Sequence, residues 1–163
     1  MILGNQVEWA LHCVMILASV PKGKLLNSKA LADFHGVPKE YLSKCLQMLS
    51  QAGLVTTTTG PYGGYSLAKP PDKISFLDVV EAVEGKTKTF QCKEIRRNNP
   101  CLAKSDRKFS KLCGIAAIMH EADEAWRKSL RARKMSEITN YLADGVSQET
   151  FSNFTEWLDE HKS

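Results

Sequence analysis

Nothing in this chain is long and apolar enough to enter a membrane. The longest apolar run, residues 7–20, is broken by Glu8 and His12. It falls short of the roughly 18 residues a span requires, and Met1 has no basic flank, so neither a signal peptide nor a membrane span is expected. No Cys-x-x-Cys occurs, which disfavours a zinc ribbon or knuckle. A nucleophile elbow, a phosphate loop and a metal-hydrolase motif are also missing, so the common enzyme signatures are excluded. There is no internal repeat and no low-complexity tract, and the apolar fraction of 43% and charged fraction of 25% are ordinary, so disorder is expected only locally. At 163 residues the chain has room for one full core, or for a domain of about 70 residues with a helical arm, and its organisation favours the second.

That organisation centres on residues 27–71. Two short helical patterns there end in Leu54-Val55-Thr56-Thr57-Thr58-Thr59, then a glycine turn at Gly60-Pro61-Tyr62-Gly63-Gly64, then a second strand stopped by Pro70-Pro71. A tight reversal needs positive φ, which glycine adopts at least cost. A lone hairpin is too small to be stable, so this one must lean on the helices before it, as the wing of a winged helix-turn-helix does. Fold class is therefore mainly α with a small β wing. The expected domains are 1–85 for the winged helix-turn-helix, 86–111 for a loop and 112–163 for a long dimerisation helix and C-terminal helices.

The first helix is expected over about 6–20, with Val7, Ala10, Leu11, Val14, Leu17 and Ala18 facing the core and Pro21 ending it. Asn27 caps a second helix whose buried side is Ala30, Leu31 and Phe34, closed by left-handed Gly36. Pro38 opens a third from its first turn. Its inward stripe is Tyr41, Leu42, Cys45, Leu46 and Leu49, and its outer face is Lys39, Ser43, Lys44 and Gln47. Ser75 and Asp78 form a capping box, with Ile74 and Val79 as a hydrophobic staple, for a fourth helix reaching 84–85. Over 86–111 periodicity vanishes and Lys and Arg recur. Leu112, Ile115, Ala116, Met119, Ala122, Trp126 and Leu130 then mark a long amphipathic helix, followed by helices at 136–143 and 147–161, the last burying Phe151, Phe154, Trp157 and Leu158. A long helix beyond a small domain has little of its own chain to pack on, and a two-fold partner is the usual solution.

Two constellations carry chemistry. Residues 1–73 hold seven basic against four acidic side chains, within a net charge of +4. One helix fits a DNA major groove, with polar side chains reaching base edges and Lys holding phosphates. Lys39, Tyr41, Ser43, Lys44 and Gln47 are the candidates on the third helix, and Tyr62, Gly63, Gly64 and Tyr65 on the wing. The second constellation is Cys92, Cys101 and Cys113, across the basic loop. Five cysteines, an odd number without a secretion signal, point to a reducing cytoplasm, where thiols are packed, reactive or metal-bound. Cys13 and Cys45 fall in helical patterns near core positions and read as packed hydrophobes. A two-iron cluster needs four ligands, and the loop offers three thiolates at most. Glu8 and His12, four apart on one flank of the first helix, can complete the set.

These residues resemble a known family, the Rrf-type or IscR-like winged-helix transcription regulators of bacteria. The resemblance is carried by Val7-Glu8-Trp9-Ala10-Leu11, Tyr41-Leu42-Ser43-Lys44 with Leu46, and Ala52-Gly53-Leu54-Val55. It continues through 63–71, Ile74-Ser75-Phe76-Leu77-Asp78-Val79-Val80 and Ala82-Val83-Glu84-Gly85. It implies a homodimer joined through the long helix and bound to a partly palindromic double-stranded operator. Many members carry an iron-sulfur cluster on loop cysteines plus one other ligand, with cysteine intervals shorter than the nine and twelve residues found here. The stretch 7–13 is similar to a redox-sensing subgroup in which Glu and His of the first helix join two cysteines. The resemblance thus implies a [2Fe-2S] cluster on Glu8, His12, Cys92 and Cys113, with Cys101 as substitute, in a cytoplasmic regulator that is not an enzyme. Its function is expected to be repression controlled by cluster redox state or occupancy. The alternatives are a cluster-free regulator whose cysteines are thiol switches near Lys93, Arg96 or Arg97, and a thiol enzyme using Cys92 or Cys113 with His12.

Overall fold

The computed structural model describes residues 3–86, 88–103, 109 and 111–163, without the side chains of 142–144. Of the loop expected over 86–111, residues 87, 104–108 and 110 lie outside the described residues. The chain divides into two compact units, Ile2–Lys86 with Leu130–Ser163, and Thr87–Ser129 with Met1.

In the first unit, α1 (Asn5–Ala18) supplies Val7, Ala10, Cys13, Val14, Ile16 and Leu17 to the core. α2 (Ser28–His35) starts where the Asn27 side chain accepts the Ala30 N–H and ends at Gly36 with φ +62°. α3 (Lys39–Gln51) buries Leu42, Cys45, Leu46 and Leu49 against α1 and α2. Three sequence expectations fail here. Pro38 is the N-cap of α3, one residue outside the helix, because its extended φ/ψ of −62°/129° is not helical. Tyr41 is 53% exposed, its ring against Trp9 at the edge of the α1–α3 contact. Phe34 also stands outward, and Ala32 takes its place in the core.

Strands β1 (Val55–Thr58) and β2 (Gly64–Leu67) pair antiparallel, Val55 opposite Leu67 and Thr58 opposite Gly64. In the turn between them the positive φ belongs to Gly60 alone (+114°). Gly63 and Gly64 are needed for a different reason, close approach: a Cβ on Gly63 would lie 2.2 Å from the Thr58 carbonyl oxygen, and one on Gly64 2.7 Å from that of Leu26. Leu26 bridges Tyr65 on one side and Lys162 on the other.

α4 (Phe76–Glu84) begins with the expected capping box: the Ser75 hydroxyl accepts the Asp78 N–H while the Asp78 carboxylate accepts the Ser75 N–H. Ile74 and Val79 are both fully buried. α6 (Met135–Gly145) rests on α1, with Met135 in the core. α7 (Gln148–His161) is capped by Ser147 and buries Leu158, while Phe151 is 48% exposed rather than buried.

The second unit holds a short 3-10 turn, Ile95–Asn98, and most of α5 (Gly114–Ala132). Of the apolar residues expected along this helix, Leu112, Ile115 and Met119 are exposed, Trp126 and Leu130 are half-buried and Ala116 is buried; Ile118 is exposed as well, and Asp123 is buried. Asp123 is held by the Arg127 guanidinium at 3.1 Å and the Thr89 hydroxyl at 3.0 Å. No helix among the described residues is long and apolar enough to cross a membrane.

Candidate functional site

On α3, Lys39, Lys44 and Gln47 are exposed and Ser43 is half-buried, so one polar face is free along the helix whose other face is locked into the core. Anchoring on one side and freedom on the other is what a groove-reading helix needs. On the wing, Tyr62 is 83% exposed. Gly64 is buried and Tyr65 half-buried, and the Tyr65 N–H and carbonyl both bond to the Leu26 backbone. Burial raises the Tyr65 hydroxyl's pKa, keeping it neutral. The missing side chain of Gly64 makes room for the Leu26 backbone, so that position builds the wing from within and the outward surface falls to Tyr62.

On the flank of α1, Glu8 and His12 are both exposed and line a shallow pocket with Trp9, His35 and Val37. The His35 ring centroid lies 5.5 Å from that of His12, and its buried Nε2 has no hydrogen-bond partner among the described residues. Burial, reinforced by His12, lowers the His35 pKa. His35 was missed by sequence reasoning, since its only signal is its place beside the Gly36 cap. A larger pocket of about 420 Å³ runs along the same flank between α1, Phe76 and Met135.

In the second unit the Cys92 sulfur accepts the Glu94 N–H at 3.4 Å. Cys113 sits at the start of α5, where its carbonyl accepts the Ala117 N–H. The Ala116 N–H bonds its sulfur and is the main reason its pKa lies below the ordinary thiol value. The Ile115 N–H, Arg96 and Cys92 reinforce that shift against the opposing effect of burial. A helix N-terminus stabilises a thiolate in this way. Cys101 is exposed in a separate turn, its N–H bonded to the Asn99 side chain. Among the described residues no three His, Cys, Asp or Glu side chains gather as a metal cage. The expected ligands are instead paired, Glu8 with His12 in one unit and Cys92 with Cys113 in the other. Cys13 and Cys45 are fully buried; burial, aided by Cys45, pushes the Cys13 thiol up to about 12 and keeps it protonated.

The exposed polar face of α3 beside a glycine-built wing places the chain among regulators of known sequence. A family profile described as "Iron-dependent Transcriptional regulator" matches residues 3–141. The chain is 28% identical over 136 residues to the HTH-type transcriptional regulator NsrR of Shouchella clausii, covering 83% of this chain and 87% of that one. Its fold is similar to that of CymR, the global cysteine regulator of B. subtilis, with a TM-score of 0.66, 19% identity, and 86% of this chain and 98% of that chain covered. It is equally similar to that of T. potens IscR, with a TM-score of 0.66, 18% identity, and 91% and 93% covered. With its full winged helix-turn-helix inside the matched region, the chain belongs to the Rrf2 family of DNA-binding transcriptional regulators.

Proposed function

We propose that this regulator is a homodimeric repressor whose operator affinity is set by the redox state or occupancy of a [2Fe-2S] cluster on Glu8, His12, Cys92 and Cys113. In this reading residues 1–85 bind DNA, 86–111 sense and 112–163 dimerise. The observation that carries it is the cysteine pair: Arg96 ties Glu94, whose N–H bonds the Cys92 sulfur, to the Lys111 carbonyl two residues before Cys113, and the Cys113 thiolate is favoured at a helix N-terminus. Thiolate is the form that binds iron. Glu8 and His12 supply the other pair, open to solvent on one helix flank. The donor set, two sulfurs with one imidazole and one carboxylate, suits iron, and Cys101 is a substitute sulfur. When bound, such a cluster supplies a one-electron redox change. The chain's part is to hold sulfur, nitrogen and oxygen donors, the nitrogen and oxygen on α1, which packs against α3. A redox signal changes DNA affinity only through a difference in free energy between DNA-competent and incompetent dimers.

The dimer rests on the outward stripe that begins at Leu112 and continues along α5, since Leu112, Ile115 and Ile118 are each more than 60% exposed. On DNA, Lys39 and Lys44 would bind phosphates, Tyr41, Ser43 and Gln47 would line the groove, and Tyr62 in the wing turn would approach the backbone, with Gly63, Gly64 and Tyr65 shaping the wing behind it.

Anaerobic purification tests the cluster directly. Visible absorbance with two irons per chain, lost in Cys92→Ala, is the expected result. A colourless, iron-free wild-type protein overturns it. In that event the cysteine pair favours a second reading, a cluster-free regulator in which peroxide oxidises Cys92 and Cys113. Mass spectrometry of peroxide-treated, metal-free protein distinguishes the two.

A further inference from the structure

The loop between Cys92 and Cys113 is long, and an open loop of this length holds its ends together only against entropy. Something must bring the two ends together. Arg96 occupies the position to do it. Its guanidinium bonds both carboxylate oxygens of Glu94, through Nε to Oε1 and through Nη2 to Oε2. The same Nη2 donates to the Lys111 carbonyl at 3.1 Å, two residues before Cys113. Its Cζ lies 4.1 Å from the centre of the Phe109 ring. One side chain thus joins the start of the loop to its end.

The start is set with equal care. Glu94 is the one non-glycine residue with positive φ among the described residues, at +52°. In that conformation its N–H reaches back to the Cys92 sulfur at 3.4 Å. A left-handed glutamate is costly and persists only where its surroundings fix it. The two-pronged Arg96 contact does so.

We propose that Arg96 is a positioning residue that clamps the cysteine loop shut and so pre-forms the Cys92–Cys113 pair, with Glu94 as its counter-ion. This rests on the reading of that pair as half of the sensor site, but the clamp exists before any metal arrives. The planar fork and the stacking on Phe109 are properties of arginine and not of positive charge as such. Lysine at position 96 should therefore fail to replace it.

The test measures how strongly the metal-free protein holds the two thiols together. Full-length protein is equilibrated with mixtures of oxidised and reduced dithiothreitol. Two electrons and two protons pass from the thiols to the cyclic disulfide, giving the Cys92–Cys113 disulfide and the dithiol reagent. Cys101→Ser is the background throughout, and circular dichroism with thermal melting verifies the fold of every variant. Arg96→Gln and Arg96→Lys should both lower the equilibrium constant for this disulfide on the order of tenfold, the loss expected when two groups are no longer pre-organised. Arg97→Gln, which removes the same charge from the next residue, should leave it within about twofold. The clamp is overturned if Arg96→Gln matches wild type, if Arg96→Lys restores the wild-type value, or if Arg97→Gln loses as much. Iron uptake by the wild-type protein is scored separately. If wild type takes up no iron and Arg96→Gln still separates the thiols, the cluster reading falls and the clamp stands. If wild type loads fully and Arg96→Gln leaves the disulfide equilibrium unchanged, the clamp falls and the cluster reading stands.

Discussion

Adding one methyl group at Gly64 should loosen the wing. An ideal Cβ there would lie 2.7 Å from the Leu26 carbonyl oxygen, 2.8 Å from its carbon and 3.1 Å from the Asn27 nitrogen. All three are backbone atoms, so no side chain can swing aside. Restoring ordinary contact requires β2 and residue 26 to part by more than half an ångström, a roughly estimated shift that opposes tight packing. That separation strains two backbone bonds, Leu26 N–H to the Tyr65 carbonyl at 3.0 Å and Tyr65 N–H to the Leu26 carbonyl at 2.8 Å. Weakening both, with overpacking, costs about 2–4 kcal/mol. Against this, alanine restricts the unfolded chain and returns about 0.5–1 kcal/mol. The net loss is about 2–3 kcal/mol, which at an m-value of about 2 kcal/mol/M lowers the urea midpoint by about 1 M. Equilibrium urea unfolding followed by circular dichroism measures it, with operator titration alongside. A Gly64→Ala protein with a midpoint within 0.2 M of wild type, roughly the resolution of such curves, would show that the Leu26–Tyr65 approach is not the reason for glycine.

Lys44→Ala should weaken binding to every DNA sequence alike and reduce the steepness of the log affinity against log salt plot by about one; an unchanged slope removes Lys44 from the phosphate contacts. Ile118→Glu, on the outward stripe of α5, should yield monomers by light scattering at micromolar concentration, and an intact dimer would place the interface elsewhere. Asp123 supplies a pH dependence. Burial opposes its charge, but the Arg127 and Thr89 hydrogen bonds win and hold its pKa below the ordinary value of 3.8. Because the folded value is depressed, its contribution to stability is complete above that ordinary value and is lost as pH falls below it towards the folded one. Asp123→Asn should therefore melt lower than wild type at pH 7, with the gap closing in acid; a gap independent of pH would mean the charge is irrelevant.

Local signals carried much of this fold. Asn27 and Ser75 announce their helices because a cap is a contest between a side chain and two or three neighbouring N–H groups, all within a few residues. Gly36 ends α2 for the same local reason. The misreadings fall where geometry is long-range. Tyr41 and Phe34 have the period of core residues, yet each lies at the edge of its helix's buried arc, where a neighbour decides the outcome: Trp9 for Tyr41, Phe154 and Trp157 for Phe34. Gly64 looks like a turn residue in sequence, but it is the distant Leu26 backbone that requires it. Among the candidate site residues, Glu8 and His12 were paired by helical spacing alone. The Arg96 fork, from Glu94 to the Lys111 carbonyl, spans a loop without periodicity, and no local rule connects its ends.

The two hydrogen bonds between Leu25 and Ser163, and the Ser163 hydroxyl on the Tyr62 carbonyl, have a consequence for biogenesis. The wing turn is closed by a residue 101 positions later in the chain. On a translating ribosome, α1 to α4 can emerge and begin to associate, but the edge at Leu26 stays unpaired on one side until residues 162 and 163 leave the exit tunnel. Contacts of such sequence separation form late and slow the final folding step. The unit that carries the wing is thus completed only after the cysteine loop and α5 have been made.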